Sequence, residues 1–156
     1  MTIFNWELHN KHINGIKDFG TPLPFGFIYI ITHIPSNKSY IGKKVLFHNR
    51  KTKLAKKDLK EYEGIKGRKP KHKIITKESD WLNYWGSNKE LLEIVKSSPS
   101  NDFKRKILDV AYNKKMLTYL ETKYLFKYEV LENPDKFFNN NILGKFYSKD
   151  LEVSNK

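Results

Sequence analysis

The chain contains no cysteine, so disulfides and thiolate metal sites are excluded and a reducing, cytoplasmic setting fits best. It also lacks any apolar run near the roughly 20 residues needed to cross a bilayer. The first ten residues, MTIFNWELHN, show none of the charged-then-apolar pattern of a secretory leader. Proline and glycine are sparse, at six and eight residues, so the places where they gather act as punctuation. Acidic residues are few beside basic ones, 17 against 30, which leaves a formal charge of +13. What the chain does have is aromatic bulk: ten Phe, nine Tyr and three Trp in 156 residues. That is enough to build one compact domain.

The positive charge is concentrated. Between Lys43 and Lys77 there are fourteen Lys and Arg against three acidic residues. Such a segment repels itself unless a polyanion neutralises it, and nucleic acid is the commonest partner. Lys44, Lys51, Lys53, Lys56, Lys57, Arg68, Lys69, Lys71 and Lys73 are the expected phosphate contacts. A solvated loop that aids solubility would carry the same charges with no partner.

Element signals divide the rest. Residues 1–23 read as an N-terminal arm with some helix, closed by Gly20-Thr-Pro-Leu-Pro24. Phe25 to Thr32 is rich in β-branched and aromatic residues, Pro35-Ser-Asn-Lys38 is turn chemistry, and Ser39 to Lys43 returns as a second strand. In the basic insertion, about 50–77, Gly64, Gly67 and Pro70 confine any helix to about Arg50–Glu63. Ser87-Asn-Lys-Glu90 reads as a capping box that opens a helix. FKRKILDV, 103–110, is the third strand. Lys114 to Leu131 is the strongest helix, with a stripe of Leu117, Leu120, Tyr124, Tyr128 and Leu131, stopped by Asn133-Pro134. Residues 146–156 form a tail. The expected fold is α+β, a small three-stranded antiparallel sheet flanked by helices.

Tyr29 and Tyr40 are eleven apart, and across a hairpin with an even-numbered loop that spacing puts both on one face, with Phe27 and Ile31. Alone, the pair is what two core aromatics look like. Three further residues sharpen it. Lys43 follows Tyr40 by three, Arg50 follows it by ten, and Glu121 lies on the inward side of the strongest helix, between Leu117 and Leu125. A carboxylate there is costly unless paired, hydrogen-bonded or metal-bound.

Together these residues resemble the GIY-YIG nuclease family. Ile28-Tyr29 stands for the end of its first signature, with Phe27 where glycine is usual, and Tyr40-Ile41-Gly42 is the second signature unchanged. YWGSNKELL…NDFKRKIL resembles a block of the freestanding phage homing-type (Seg-like) members. The resemblance covers about residues 25–143 within an expected domain of 24–145. It implies catalytic roles for Tyr29, Tyr40, Lys43, Arg50, Glu121 and Asn139, with Asn141 as a second candidate for the late asparagine. It also implies a Mg²⁺ or Mn²⁺ ion on Glu121, DNA as substrate and an endonuclease as the activity. Arg50 falls where the family's helix arginine falls, and Leu54 stands where the family often has His or Tyr.

The chemistry needs these groups: a base for water, cations for the phosphate, and a carboxylate for a hard ion. Either tyrosine could take the proton, and Tyr40 is favoured because Lys43 is close in sequence. The alternative is a non-catalytic basic DNA- or RNA-binding module on the same fold. With no separate binding domain expected after residue 145, recognition would fall to the basic insertion, the arm or dimerisation.

Overall fold

The structure is a computed structural model that describes residues 5–64, 67 and 70–153. In chain order its elements are β1 (Trp6–Leu8), β2 (Lys11–Ile13), β3 (Gly26–His33), β4 (Lys38–Val45), β5 (Phe47–Lys53), α1 (Lys56–Leu59), β6 (His72–Glu78), α2 (Lys89–Ser97), β7 (Phe103–Ala111), α3 (Lys114–Lys127), β8 (Asn141–Ile142) and β9 (Phe146–Tyr147). No helix among the described residues is long and apolar enough to cross a membrane. The chain divides into two compact units, one of residues 1–46 with 80–156 and one of residues 47–79.

The larger unit is built on a mixed five-stranded sheet in the order β2-β1-β7-β3-β4. The α+β class is as expected, but the three-stranded antiparallel sheet is not. The antiparallel trio β7-β3-β4 gains β1, which runs parallel to β7, and β2 beyond it. The cause is Trp6 and Ile13, which face each other across β1 and β2 and are both buried. His9 and Asn10, with φ of 50° and 64°, make the tight turn between them. The arm-like segment is therefore part of the sheet, and its helical content is the short 3₁₀ turn Ile16–Phe19.

Each face of the sheet buries a different chemistry. On one, Ile28, Ile41 and Ala111 meet Leu117, Leu120 and Leu125 of α3, with Val130, Leu131 and Ile142 beyond. At about 1.5–3 kcal/mol per buried aliphatic side chain, this cluster outweighs the local propensity of a 14-residue helix. The helix stops at Lys127, short of the expected Leu131. Glu129 turns left-handed (φ 52°), and the Glu129 and Val130 amides donate to the carbonyls of Phe126 and Leu125. That is a Schellman closure, made upstream of Asn133-Pro134. The other face is aromatic: Trp6 lies 5.1 Å from Phe27 and 5.3 Å from Tyr29, while Phe19 and Trp81 are 5.3 Å apart. The Trp6 indole donates to the Trp81 carbonyl at 2.8 Å.

The smaller unit is a β5–β6 antiparallel ribbon, with Arg50 opposite Ile75 and Asn49 opposite Thr76. Within Arg50–Glu63, the span to which any helix was confined, the structure has the end of strand β5, the single turn α1 and a 3₁₀ turn over Lys60–Tyr62. Ile74, Ile75 and Thr76 supply a β-branched partner strand, and isolated short helices are marginal in water. Lys73 pairs with Asp58 at 2.8 Å within this unit.

Because Trp6 is fully buried, Trp6→Ala is expected to destabilise the protein by about 3–5 kcal/mol in urea unfolding. A loosely attached arm would lose about 1 kcal/mol or less.

Candidate active site

The β3–β4 register places Tyr29 opposite Gly42 and Tyr40 opposite Ile31. A four-residue loop, 34–37, closes the hairpin, with Asn37 left-handed at φ 56°. Both tyrosines therefore share the aromatic face, with ring centroids 6.2 Å apart. Gly42 is obligatory here, because a Cβ would run into the Tyr29 phenol. Opposite, Gly86 (φ 88°) brings the corner of residues 84–87 against the Tyr40 ring.

Lys43 points to the other face, odd-spaced from Tyr40 on the same strand. There its ammonium donates to Thr118 Oγ1 at 3.1 Å and lies 3.9 Å from Glu121 Oε1. Glu121 is carried by α3, whose N-cap Asn113 accepts from the Met116 amide at 2.8 Å. Its neighbours one turn away, Leu117 and Leu125, are buried, which draws the carboxylate to the inward flank and leaves its side chain 20% exposed.

The two faces meet at β4 because β4 is the edge of the sheet. Residues 136–139 cover that edge: Ser39 bonds Lys136 and Phe138 through the backbone. Asn139 then takes the place of a further strand residue. Its Oδ1 accepts from the Ile41 amide at 3.0 Å, and its Nδ2 donates to the Ile41 carbonyl at 2.8 Å. Around this edge opens a cleft of about 820 Å³, lined by Tyr40, Lys43, Glu121 and Asn139, with Lys38, Ser87 and Asn141.

The cleft thus gathers Tyr40, Lys43, Glu121 and Asn139. Tyr29 touches Tyr40 but is only 1% exposed and stands behind it. Asn139 spends both polar atoms on Ile41, so it shapes the cleft wall, while Asn141 accepts from the Gly144 amide at 3.0 Å. Arg50 is exposed on β5 of the smaller unit, on a strand where a helix was expected. Leu54 consequently has no helical relation to it. Lys51, Lys53, Lys56, Lys57 and Lys71 are exposed. Lys44 is held: its ammonium is 2.6 Å from Asp80 and 4.0 Å above the Tyr84 ring. Arg68 and Lys69 lie outside the described residues.

Electrostatics separate the two tyrosines. Burial pushes the Tyr29 phenol well above the ordinary tyrosine range, and Tyr84 and Tyr40 add to the shift. Burial also raises Tyr40, a hydrogen bond with Ser87 pulls it back, and Glu121 raises it further. The expected support of a Tyr40 phenolate by Lys43 is not part of this balance, since Lys43 faces away. Burial raises Glu121 too, and Lys43 partly offsets it.

No group of three or more His, Asp or Glu that could hold a metal ion occurs among the described residues. Glu121 is a half-buried carboxylate beside an open cleft, a donor suited to a hard ion that keeps most of its waters. Tyr84, Ser87 and Thr118 were not among the expected site residues: Ser87 reads as a helix cap, Tyr84 stands in the YWGS stretch marked by resemblance, and Thr118 carries no signal in the sequence.

The family described as "Putative endonuclease segE, GIY-YIG domain" matches residues 6–142. No curated protein and no solved structure gives a match. The matched span begins at β1, the strand that completes the sheet, and takes in both tyrosines, Lys43, Glu121 and Asn139. The chain belongs to the GIY-YIG endonuclease family, in its Seg-type branch.

Proposed function

We propose that the chain hydrolyses phosphodiester bonds of DNA with the aid of Mg²⁺ or Mn²⁺, as a freestanding phage-type homing or DNA-degrading endonuclease. One observation carries the reading: at the edge of β4, a tyrosine from one face of the sheet and a lysine–glutamate pair from the other open onto a single cleft. Core aromatics and a solvated salt bridge would not need a shared opening.

Tyr40 is the general base in this reading, because it reaches the cleft and Tyr29 is buried behind it. As the phenolate, it takes the proton of a water while that water attacks phosphorus and the bond to the 3′ oxygen breaks. Lys43 offsets the charge that grows on the phosphate oxygens. A divalent ion on Glu121, when bound, would neutralise phosphate charge and make nearby water more acidic. Arg50 is assigned a forked contact with phosphate, and the exposed lysines of the basic segment supply affinity without sequence preference. The direct test is incubation with supercoiled plasmid, with and without Mg²⁺ or Mn²⁺. Nicked or linear product only with the ion supports the reading, and bound but intact DNA turns it into the binding-module alternative.

Glu121→Gln is expected to abolish cleavage while DNA binding persists. It also has a consequence for stability without metal. Burial raises the Glu121 carboxyl in the folded protein, so its charged form is disfavoured there. Wild type should lose stability relative to the Gln variant as pH rises through that raised value, and match it at acidic pH where both side chains are neutral. Melting curves from pH 4 to 8 check this; a Gln variant less stable at neutral pH would count against it.

Replacing Lys51, Lys53, Lys56 and Lys57 by Ala should weaken DNA binding and flatten its salt dependence by roughly three to four units of log–log slope. Saturating DNA should restore most of the cleavage rate. A slope unchanged within error would mean that these lysines only solvate the segment.

A further inference from the structure

The stretch Ser87-Asn-Lys-Glu90 reads as a capping box, yet the structure does not use it as one. The cap is one residue later: Asn88 Oδ1 accepts from the Leu91 amide at 2.9 Å, and its Nδ2 donates to the Phe138 carbonyl at 3.1 Å. Glu90, which a capping box would turn back, instead pairs with Lys38 at 3.3 Å. Ser87 is thereby released from helix capping. Its Oγ is 3.4 Å from the Tyr40 hydroxyl, on the wall of the same cleft.

The corner that carries Ser87 is fixed from below. Arg105 Nη1 donates to the carbonyls of Leu82 and Tyr84 at 3.1 and 2.9 Å. The Tyr84 ring packs edge-on against Tyr29, 5.9 Å between centroids. Gly86 then turns the chain through a left-handed conformation, so that Ser87 emerges beside Tyr40. One short segment thus engages both tyrosines: the Tyr84 ring packs on the buried one, and Ser87 meets the hydroxyl of the one at the cleft.

We propose that Ser87 is a positioning residue for the reaction, donating a hydrogen bond that holds the Tyr40 oxygen toward the cleft. The inference rests on the endonuclease reading above. A phenol that must take up a proton needs its lone pair aimed at the water and its charged form stabilised. Among the neighbours that act on Tyr40, Ser87 is the one that stabilises the charged form; burial, Glu121 and Tyr84 all oppose it. A donor at this point strengthens as the phenolate forms, so its effect belongs in the rate and not in DNA affinity.

The experiment compares wild type, Ser87→Ala and Ser87→Thr. Single-turnover cleavage at saturating DNA should fall about ten- to a hundredfold in the Ala variant, the loss expected for one hydrogen bond to a charged group. DNA affinity should stay within about twofold of wild type, and Thr, which keeps the hydroxyl, should restore most of the rate. A second readout needs neither metal nor DNA: the ¹³Cζ resonance of Tyr40 in tyrosine-labelled protein, identified by its loss in Tyr40→Phe. It should move in Ser87→Ala and return in Ser87→Thr. A Tyr40 resonance unmoved by Ser87→Ala overturns the inference, even if wild type cleaves nothing and the nuclease reading itself fails. An active wild type with an equally active Ala variant overturns it too, as does a rate loss that tracks a lower melting temperature and is not restored by Thr.

Discussion

A buried guanidinium organises the aromatic half of the protein. Arg105 is 5% exposed, and its charge lies between the rings of Trp6 and Trp85, 4.5 and 4.4 Å from their centroids. Burial lowers its pKa to about 10, so it stays a cation at neutral pH. Burying a charge costs several kcal/mol. Two ring faces at about 0.5–2 kcal/mol each, and carbonyl bonds of about 1.5–3 kcal/mol each, offset that cost. Those partners come from two places, Trp6 from β1 and two carbonyls with Trp85 from the 82–85 segment, and the arginine on β7 joins them. Removing the charge would loosen the N-terminal strands and the corner beneath the tyrosines together. The site's geometry therefore depends on a residue that never faces the cleft.

The position of the cleft follows from sheet topology. In a five-stranded sheet, only an edge strand lets side chains of opposite faces reach one opening, and the Tyr40–Lys43 strand is such an edge. An edge also exposes unpaired backbone groups. Asn139 resolves this with a side-chain amide, whose donor and acceptor match the carbonyl and amide of Ile41. A full extra strand would have closed the cleft. One amide secures Ile41 and leaves the neighbouring side chains accessible, which gives Asn139 a physical task in the scaffold.

What the sequence made legible was local and periodic. β-Branched and aromatic residues around a turn marked the 25–43 hairpin, and 3.6-residue spacing marked the helix; the structure has that hairpin, the strand at 103–110 and, of the expected 114–131 helix, residues 114–127. Tyr29 and Tyr40 on one face also followed from spacing alone. The misses share a cause: three-residue strands carry no period, so Trp6–Leu8 and Lys11–Ile13 are strands only because Trp6 finds a tertiary pocket. In 47–78 the lysines obscure a ribbon whose pairing rests on Ile74, Ile75 and Thr76. Ser87 and Asn88 are both good N-caps by type, and the choice between them is made by Phe138, far along the chain.

The same view separates lysines held close to a carboxylate from one that is loosely paired. Lys44 and Lys73 were expected on DNA, yet each sits on a carboxylate at 2.6 and 2.8 Å. Lys44 is also 12% exposed and lies over an aromatic ring, so meeting phosphate would mean giving up both its carboxylate and its ring contact. Lys43 has a different geometry: 40% exposed, 3.9 Å from Glu121, and bonded mainly to a threonine hydroxyl. A long, half-solvated pair of this kind is worth little, so exchanging the carboxylate for a phosphate oxygen costs little as well. Loose pairing thus sets Lys43 apart from Lys44 and Lys73 as the one of the three that an anion could draw from its carboxylate at little cost.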